Sequence, residues 1–140
     1  MSRIPKFRKS VPDVGLQMAK MQKLFPQLKY YRKNGQMFWL GTFQPSVSSP
    51  DYLLKIIYRA KKSPKVYVLN PAIISNAPHR YSDGALCLYY PRDWSWSCEN
   101  MIAETIVPWA AEWLLCYEFW LETGIWPREE APHRGEKISD

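Results

Sequence analysis

The chain has 140 residues, of which 46% are hydrophobic and 23% charged, and this length and composition predict one globular domain that can bury a core. No stretch reaches the roughly 18 uninterrupted apolar residues of a membrane span, and charges stand where a signal peptide would carry its apolar region, so we expect a cytoplasmic protein. The formal net charge of +6 suits either nucleic acid or an acidic protein as a partner and does not choose between them.

The chain is expected to begin with a basic arm and a helix. Residues 1–12 form the arm, in which four cations precede any regular apolar pattern: Arg3, Lys6, Arg8 and Lys9. Asp13 can then cap a helix, because the apolar residues that follow recur at the helical period: Val14, Met18, Met21 and Phe25. Pro26 is expected to end this helix.

Four strands in sequence order are predicted next, forming an antiparallel meander. The dipeptide Asn34-Gly35 is a strong signal for a two-residue hairpin turn, which joins a strand around residues 30–31 to a return strand over residues 37–43. A run rich in Leu and Ile covers residues 52–58, and a short fourth strand is expected over residues 65–69.

Residues 70–96 predict a long ordered loop, because they contain three prolines and show no period typical of a helix or a strand. Loops of this length inside compact domains are usually functional or disordered. Six large apolar side chains argue for order: Leu86, Leu88, Tyr89, Tyr90, Trp94 and Trp96. A functional site is therefore expected here.

The rest of the domain is predicted to be helical. Ser97 is a plausible cap for one apolar stripe that consists of Ile102, Ile106, Trp109, Trp113, Tyr117 and Trp120. Pro108 interrupts the stripe, which predicts a kink or a second helix that starts at this proline. Gly124 supplies a stop, so we expect a single domain over residues 13–127 and a tail over residues 128–140.

The candidate chemistry lies in the loop, in residues 78–88, which end in Gly84-Ala85-Leu86-Cys87-Leu88. The chain has three cysteines, an odd number without an export signal, which favours reduced thiols over a disulfide framework. On local chemistry alone, a cysteine between two leucines is more often a small buried hydrophobe than a nucleophile. His79, eight residues earlier, is by itself also more often structural than catalytic.

This segment nevertheless resembles the active-site segment of the ubiquitin-conjugating enzymes, in which a His-Pro-Asn tripeptide precedes a Gly-x-Ile-Cys-Leu stretch that holds the catalytic cysteine. The resemblance covers roughly residues 13–122, and it implies an α+β, UBC-like fold with an N-terminal helix, a four-stranded antiparallel meander, a long active-site loop and C-terminal helices. Counted back from Cys87 without a gap, His79 occupies the position of the family's asparagine. An imidazole can donate the hydrogen bond that the asparagine is thought to supply.

The resemblance also implies a reaction. The Cys87 thiolate would take an acyl group as a thioester and pass it to an amine, which requires an exposed and partly ionised thiol. His79 and Arg80 are close enough in sequence to lower the pKa of this thiol. Asp83 and Asp93 could orient or deprotonate the incoming amine, although acidic residues in turns more often cap the local backbone.

Within the family, the stretch Leu86-Cys87-Leu88-Tyr89-Tyr90-Pro91 and the tryptophans after it look closest to compact bacterial members from antiphage defence operons of the CBASS type. This implies a protein partner, either a cyclic-nucleotide synthase of the CD-NTase type that is modified or primed, or a ubiquitin-like protein and its activating enzyme. No membrane partner and no cofactor are expected, and no metal, because the cysteines and histidines lack the paired spacing of zinc sites.

Two other interpretations stay open. The first is a catalytically inactive module of the same fold that binds a protein partner, an interpretation favoured by the histidine at the asparagine position. The second is a single-strand nucleic-acid binder whose sheet would stack bases on Tyr30, Tyr31, Phe38 and Trp39. Strand alternation turns half of these four side chains towards the core, which argues against nucleic acid as the partner.

Overall fold

A computed structural model of the chain describes residues 12–88 and 96–128. Helix α1 (Val14–Leu24) precedes strands β1 (Lys29–Lys33), β2 (Gln36–Phe43), β3 (Tyr52–Ile57) and β4 (Lys65–Asn70), and a short 3-10 helix (Ile102–Glu104) then leads into helix α2 (Ile106–Thr123). The strands form one antiparallel sheet in the order β1-β2-β3-β4. The predicted α+β, UBC-like architecture is confirmed, while residues 1–11 of the basic arm, residues 89–95 of the loop and residues 129–140 lie outside the described residues.

Helix α1 begins as its sequence predicts. The Asp13 carboxylate accepts the backbone N–H of Leu16 at 2.9 Å, which satisfies one of the donors that every helix start leaves unpaired. Met21 is fully buried, but so is Gln17, a polar residue outside the predicted stripe. Its side-chain amide donates to the carbonyl of Asn100 and accepts the N–H of Ile102, so α1 is joined to the segment before α2.

The β1–β2 hairpin turns at Asn34 and Gly35, whose φ angles are +53° and +76°. Positive φ at both central residues is the requirement of a type I′ turn, which Asn-Gly meets at little cost. The register pairs Tyr30 with Trp39 and Tyr31 with Phe38. The predicted hairpin is confirmed, and the other two strands lie within one residue of their predicted limits.

The two faces of the sheet have different environments. The inner face contributes Trp39, Leu54, Ile56 and Val66 to one hydrophobic cluster, which also contains most of the buried side chains of α2. On the outer face, Tyr31 stacks on Phe38 at 5.6 Å, and the Lys55 ammonium lies 4.5 Å from the centre of the Phe38 ring. Since its neighbours cover Phe38, which is only 9% exposed, this face is a poor platform for stacking bases.

The predicted helical region is divided into a 3-10 helix and α2, which begins at Ile106, close to the predicted start of a second helix at Pro108. The Ser97 hydroxyl accepts the N–H of Glu99 in a turn, so the prediction that Ser97 caps a helix is wrong. Pro108 is the third residue of α2, in the first turn, where a missing N–H costs nothing. Gly124 has φ +76° and its N–H bonds the carbonyl of Trp120 at 2.8 Å, which confirms the predicted stop.

Neither α-helix in the described ranges has the length and apolarity needed to cross a membrane.

A polar contact also joins α2 to the sheet. Glu118 accepts the hydroxyl of Tyr52 at 2.7 Å and that of Ser49 at 2.9 Å. Both donors are buried, and burial followed by the contact with Glu118 raises the pKa of Tyr52. Because a buried hydroxyl without an acceptor would be costly, this arrangement specifies where α2 lies against β3.

Candidate active site

The predicted site segment forms a small hairpin after β4. Arg80 and Leu86 pair as an antiparallel bridge, the N–H of Tyr81 bonds the carbonyl of Ala85, and the N–H of Cys87 bonds the carbonyl of His79, both at 2.9 Å. This register places the backbone of His79 directly opposite that of Cys87. The two residues predicted to be catalytic are therefore cross-strand neighbours.

The hairpin is held against the edge of the sheet. The N–H of Leu86 donates to the carbonyl of Val66 in β4 at 2.8 Å. At the tip, the Asp83 carboxylate accepts from the Lys65 ammonium at 2.5 Å and from the Tyr67 hydroxyl at 2.8 Å. Both strands of the hairpin thus have a fixed position relative to β4, whose edge would otherwise offer unpaired backbone groups.

These contacts change the chemistry of Asp83. The hydrogen bond from Lys65, followed by one from the backbone N–H of Ala85, lowers the pKa of Asp83 to about 2. The same contact with Asp83 raises the pKa of Lys65. A carboxylate that stays ionised and paired is a weak proton acceptor near neutral pH, so the geometry favours an anchoring role for Asp83 over deprotonation of an amine.

Arg80 is directed to a different part of the loop. Its guanidinium donates to the carbonyls of Ile74 and Ser75 at 3.1 and 3.4 Å. Arg80 therefore holds residues 74–75 to the hairpin. Asp93, the remaining predicted auxiliary residue, lies outside the described residues.

His79 is the most constrained residue of the site. Its φ is +60°, a left-handed conformation that is uncommon outside glycine, but in which Asn, Asp and His are enriched. Its carbonyl accepts two donors, the N–H of Cys87 and the indole N–H of Trp113, both at 2.9 Å. The imidazole packs against Trp126 with 4.7 Å between ring centres. Sequence reasoning assigned Trp113 to the apolar stripe and gave Trp126 no role.

Cys87 is fully buried, with 0% of its surface exposed. This differs from the expectation that a carrier thiol is exposed, and it agrees with the local pattern of a cysteine between two leucines, both of which are also buried. All three cysteines are free thiols. Acyl transfer at Cys87 consequently requires the residues around it to move.

Comparison with known protein families gives one informative result. The family model E2-CBASS, described as Type II CBASS E2 protein, matches residues 17–134. The matched region contains the whole sheet, the hairpin with His79 and Cys87, and helix α2. No curated protein matches the sequence.

The burial of Cys87 predicts an order of thiol reactivity. Cys98 is partly exposed, whereas Cys87 is 0% and Cys116 6% exposed, so iodoacetamide should modify Cys98 much faster than the other two in the isolated protein. Alkylation followed by peptide mapping measures the three rates in one sample, with urea-unfolded protein as the control for intrinsic reactivity. Equal rates for Cys87 and Cys98 in the folded protein would contradict the buried position of Cys87.

The low pKa of Asp83 predicts a pH-dependent contribution to stability. A carboxyl whose pKa is depressed on folding stabilises the fold above its unfolded value, near 3.9, and this contribution is lost as the pH falls towards about 2. Asp83→Asn should cost less than about 1 kcal/mol at pH 7, because the paired side chains are 38% and 36% exposed. The difference from the wild type should close below pH 4.

Urea unfolding from pH 7 to about pH 2 measures this difference, and the same substitution in a Lys65→Met background is the matched control. Because Lys65 is the largest cause of the depressed pKa, most of the pH-dependent difference should disappear without it. An undiminished pH-dependent difference in the Lys65→Met background would show that Lys65 does not lower the pKa of Asp83.

Proposed function

The chain belongs to the family of Type II CBASS E2 proteins, and on that premise we propose that Cys87 carries an acyl group as a thioester and transfers it to an amine in CBASS antiphage defence. The observation that carries the proposal is the hairpin register, in which the N–H of Cys87 bonds the carbonyl of His79. This bond sets the backbone of Cys87 opposite that of His79, the residue that stands where ubiquitin-conjugating enzymes have their asparagine.

The proposed reaction consists of two acyl transfers. In the first, the Cys87 thiolate attacks the carbonyl carbon of a thioester on a donor protein, a new C–S bond forms, and the donor's thiolate leaves. In the second, an amine attacks the carbonyl carbon of the Cys87 thioester, a C–N bond forms, and the Cys87 thiolate leaves. The amine loses a proton to a base in this second step, and the resulting amide is stable.

In this reaction His79 stabilises the oxyanion that develops on the carbonyl oxygen during each attack. An imidazole N–H is a suitable donor, and such a donor in a fixed position typically contributes a factor of about 100 or more in rate. The backbone of His79, at φ +60°, supports the substitution of histidine for asparagine. Both residue types are enriched in this conformation, so the exchange keeps the backbone and supplies a different donor.

Membership in a CBASS family supports the protein partners that we propose. The acceptor of the acyl group, or the enzyme that is primed by it, would be a cyclic-nucleotide synthase of the CD-NTase type. The donor would be a ubiquitin-like protein with its activating enzyme, or the C-terminus of the synthase itself. Because Cys87 is 0% exposed, the partner that engages the site would also have to favour a conformation in which the thiol is accessible.

The same burial favours a second candidate function, a binding module of the same fold without acyl transfer. In that case Cys87 is a core residue between Leu86 and Leu88, and the surface of the protein alone recognises the synthase. The two candidates differ in one observable, which is the chemical state of Cys87 in the presence of the partner.

The experiment that tests the proposal is intact-protein mass spectrometry of the chain expressed together with its neighbouring genes, for the wild type, Cys87→Ser and Cys87→Ala. We expect a reducible adduct on the wild type, a stable ester on the serine variant because an oxygen ester is less readily transferred, and no adduct on the alanine variant. Cys98→Ser is the matched control and should carry the adduct as the wild type does. Partner binding without an adduct in any form would favour the binding module.

A second test concerns His79. Replacing it with asparagine should retain most of the rate of acyl transfer, because asparagine also donates a hydrogen bond and tolerates φ +60°. Replacing it with alanine should lower the rate about 100-fold through loss of the donor. Single-turnover discharge of the Cys87 thioester to free lysine measures both rates, and thermal unfolding checks that both variants are folded. A wild-type rate in both variants would remove His79 from the mechanism.

A further inference from the structure

The segment after α2 returns to the active-site hairpin. We call residues 124–128 the C-terminal strap: it begins where Gly124 ends α2 in a left-handed conformation at φ +76°. The Trp126 ring lies 4.7 Å from the imidazole of His79 and 5.2 Å from the ring of Trp113. Two residues further on, Arg128 forms an ion pair with Glu112 of α2.

The two tryptophans hold different parts of His79. The indole N–H of Trp113 bonds the His79 carbonyl at 2.9 Å, so Trp113 contributes to the backbone position together with the N–H of Cys87. Neither hydrogen bond determines the rotamer of the imidazole, which has several staggered choices at its first side-chain torsion. The Trp126 ring restricts the rotamer of the imidazole, because this ring occupies one side of it.

The two attachments of the strap differ in strength. The Arg128 and Glu112 side chains are 36% and 42% exposed, and ion pairs with this exposure contribute little. The Trp126 ring packs edge-on against Trp113, which is fully buried, and aromatic packing of this kind is the stronger contribution. The indole of Trp126 is therefore the main attachment of the strap, and the ion pair is secondary.

We propose that Trp126 is a positioning residue for the Cys87 site, where its ring holds the His79 imidazole in the orientation from which it donates to the oxyanion. This inference rests on the proposed function, since it assigns Trp126 to the same transition state. A hydrogen-bond donor is effective in catalysis when it needs no reorientation during the reaction. The strap supplies that orientation from outside the hairpin.

The first readout is acyl transfer. In a Cys98→Ser background, Cys87 is loaded by prolonged exchange with a glycyl thioester of mercaptoethanesulfonate, because the buried thiol reacts only when the residues around it open. Intact-mass spectrometry then follows discharge to free lysine. Misorientation of a catalytic group typically costs about 10- to 100-fold in rate, so Trp126→Ala should slow discharge by that factor while the thioester still forms. Trp126→Phe should recover most of the rate because phenylalanine keeps an aromatic ring.

The second readout does not depend on activity. The chain has two histidines, so the imidazole C–H signals in a proton–carbon NMR spectrum are few, and His79→Gln identifies the signal of His79. The ring current of Trp126 should displace that signal, which should move in Trp126→Ala. The matched control is Trp120→Ala, which removes a partly buried indole from the end of α2 that stacks on Tyr117 instead. It should leave both the His79 signal and the discharge rate unchanged.

The outcomes separate this inference from the proposed function. Slow discharge together with a moved His79 signal in Trp126→Ala, and neither change in Trp120→Ala, supports the positioning role. Discharge at the wild-type rate despite a moved signal overturns it, as does a His79 signal that does not respond to loss of Trp126. If Cys87 carries no acyl group in any variant or with any partner, the proposed function fails, and the catalytic purpose of the contact fails with it. The NMR result then reports only on packing.

Discussion

The site depends on one backbone group, the carbonyl of His79, which accepts both the N–H of Cys87 and the indole N–H of Trp113. The first bond sets the register of the hairpin, and the second joins that hairpin to the helix at the centre of the core. Because Trp113 is fully buried, a shift of α2 would leave a buried donor unpaired, which costs more than a typical hydrogen bond contributes. The position of the site is therefore coupled to the packing of the domain.

The remaining contacts hold the hairpin from its other sides. Asp83 is joined to Lys65 and Tyr67 on β4, and the guanidinium of Arg80 is joined to the carbonyls of residues 74–75. Charged residues that sequence reasoning placed in the chemistry of acyl transfer are thus engaged in supporting the loop. The proposed reaction is therefore assigned to His79 and Cys87, which a backbone hydrogen bond pairs across the hairpin.

The buried thiol and the rigid histidine have different consequences for the two candidate functions. For a carrier of acyl groups, burial protects the thiol from unproductive chemistry, and a partner would have to shift the population towards an open conformation. For a binding module, burial is simply the ordinary state of a small apolar side chain. Membership in the Type II CBASS E2 family favours the first of these, since the motif around Cys87 lies within the matched region.

Local signals in the sequence were sufficient for most of the fold. The Asp13 cap, the Asn34-Gly35 turn and the Gly124 stop each depend on the conformation or hydrogen bonding of a few adjacent residues, so their chemistry is readable without the rest of the chain. The prediction that Ser97 caps a helix was wrong because a serine hydroxyl can accept a backbone N–H either in a turn or at a helix start. The neighbouring residues do not distinguish these two arrangements.

For the site, the sequence by itself determined that a cysteine and a histidine lie in one loop, with the spacing of the ubiquitin-conjugating enzymes. Only the tertiary structure decided which side chains contact this histidine and fix its position. The partners of His79 are Trp113 and Trp126, 34 and 47 residues away in the chain, and the buried partners of Gln17 are even more distant. Contacts between such distant residues arise from packing around a shared core, and periodicity within a short window carries no information about them.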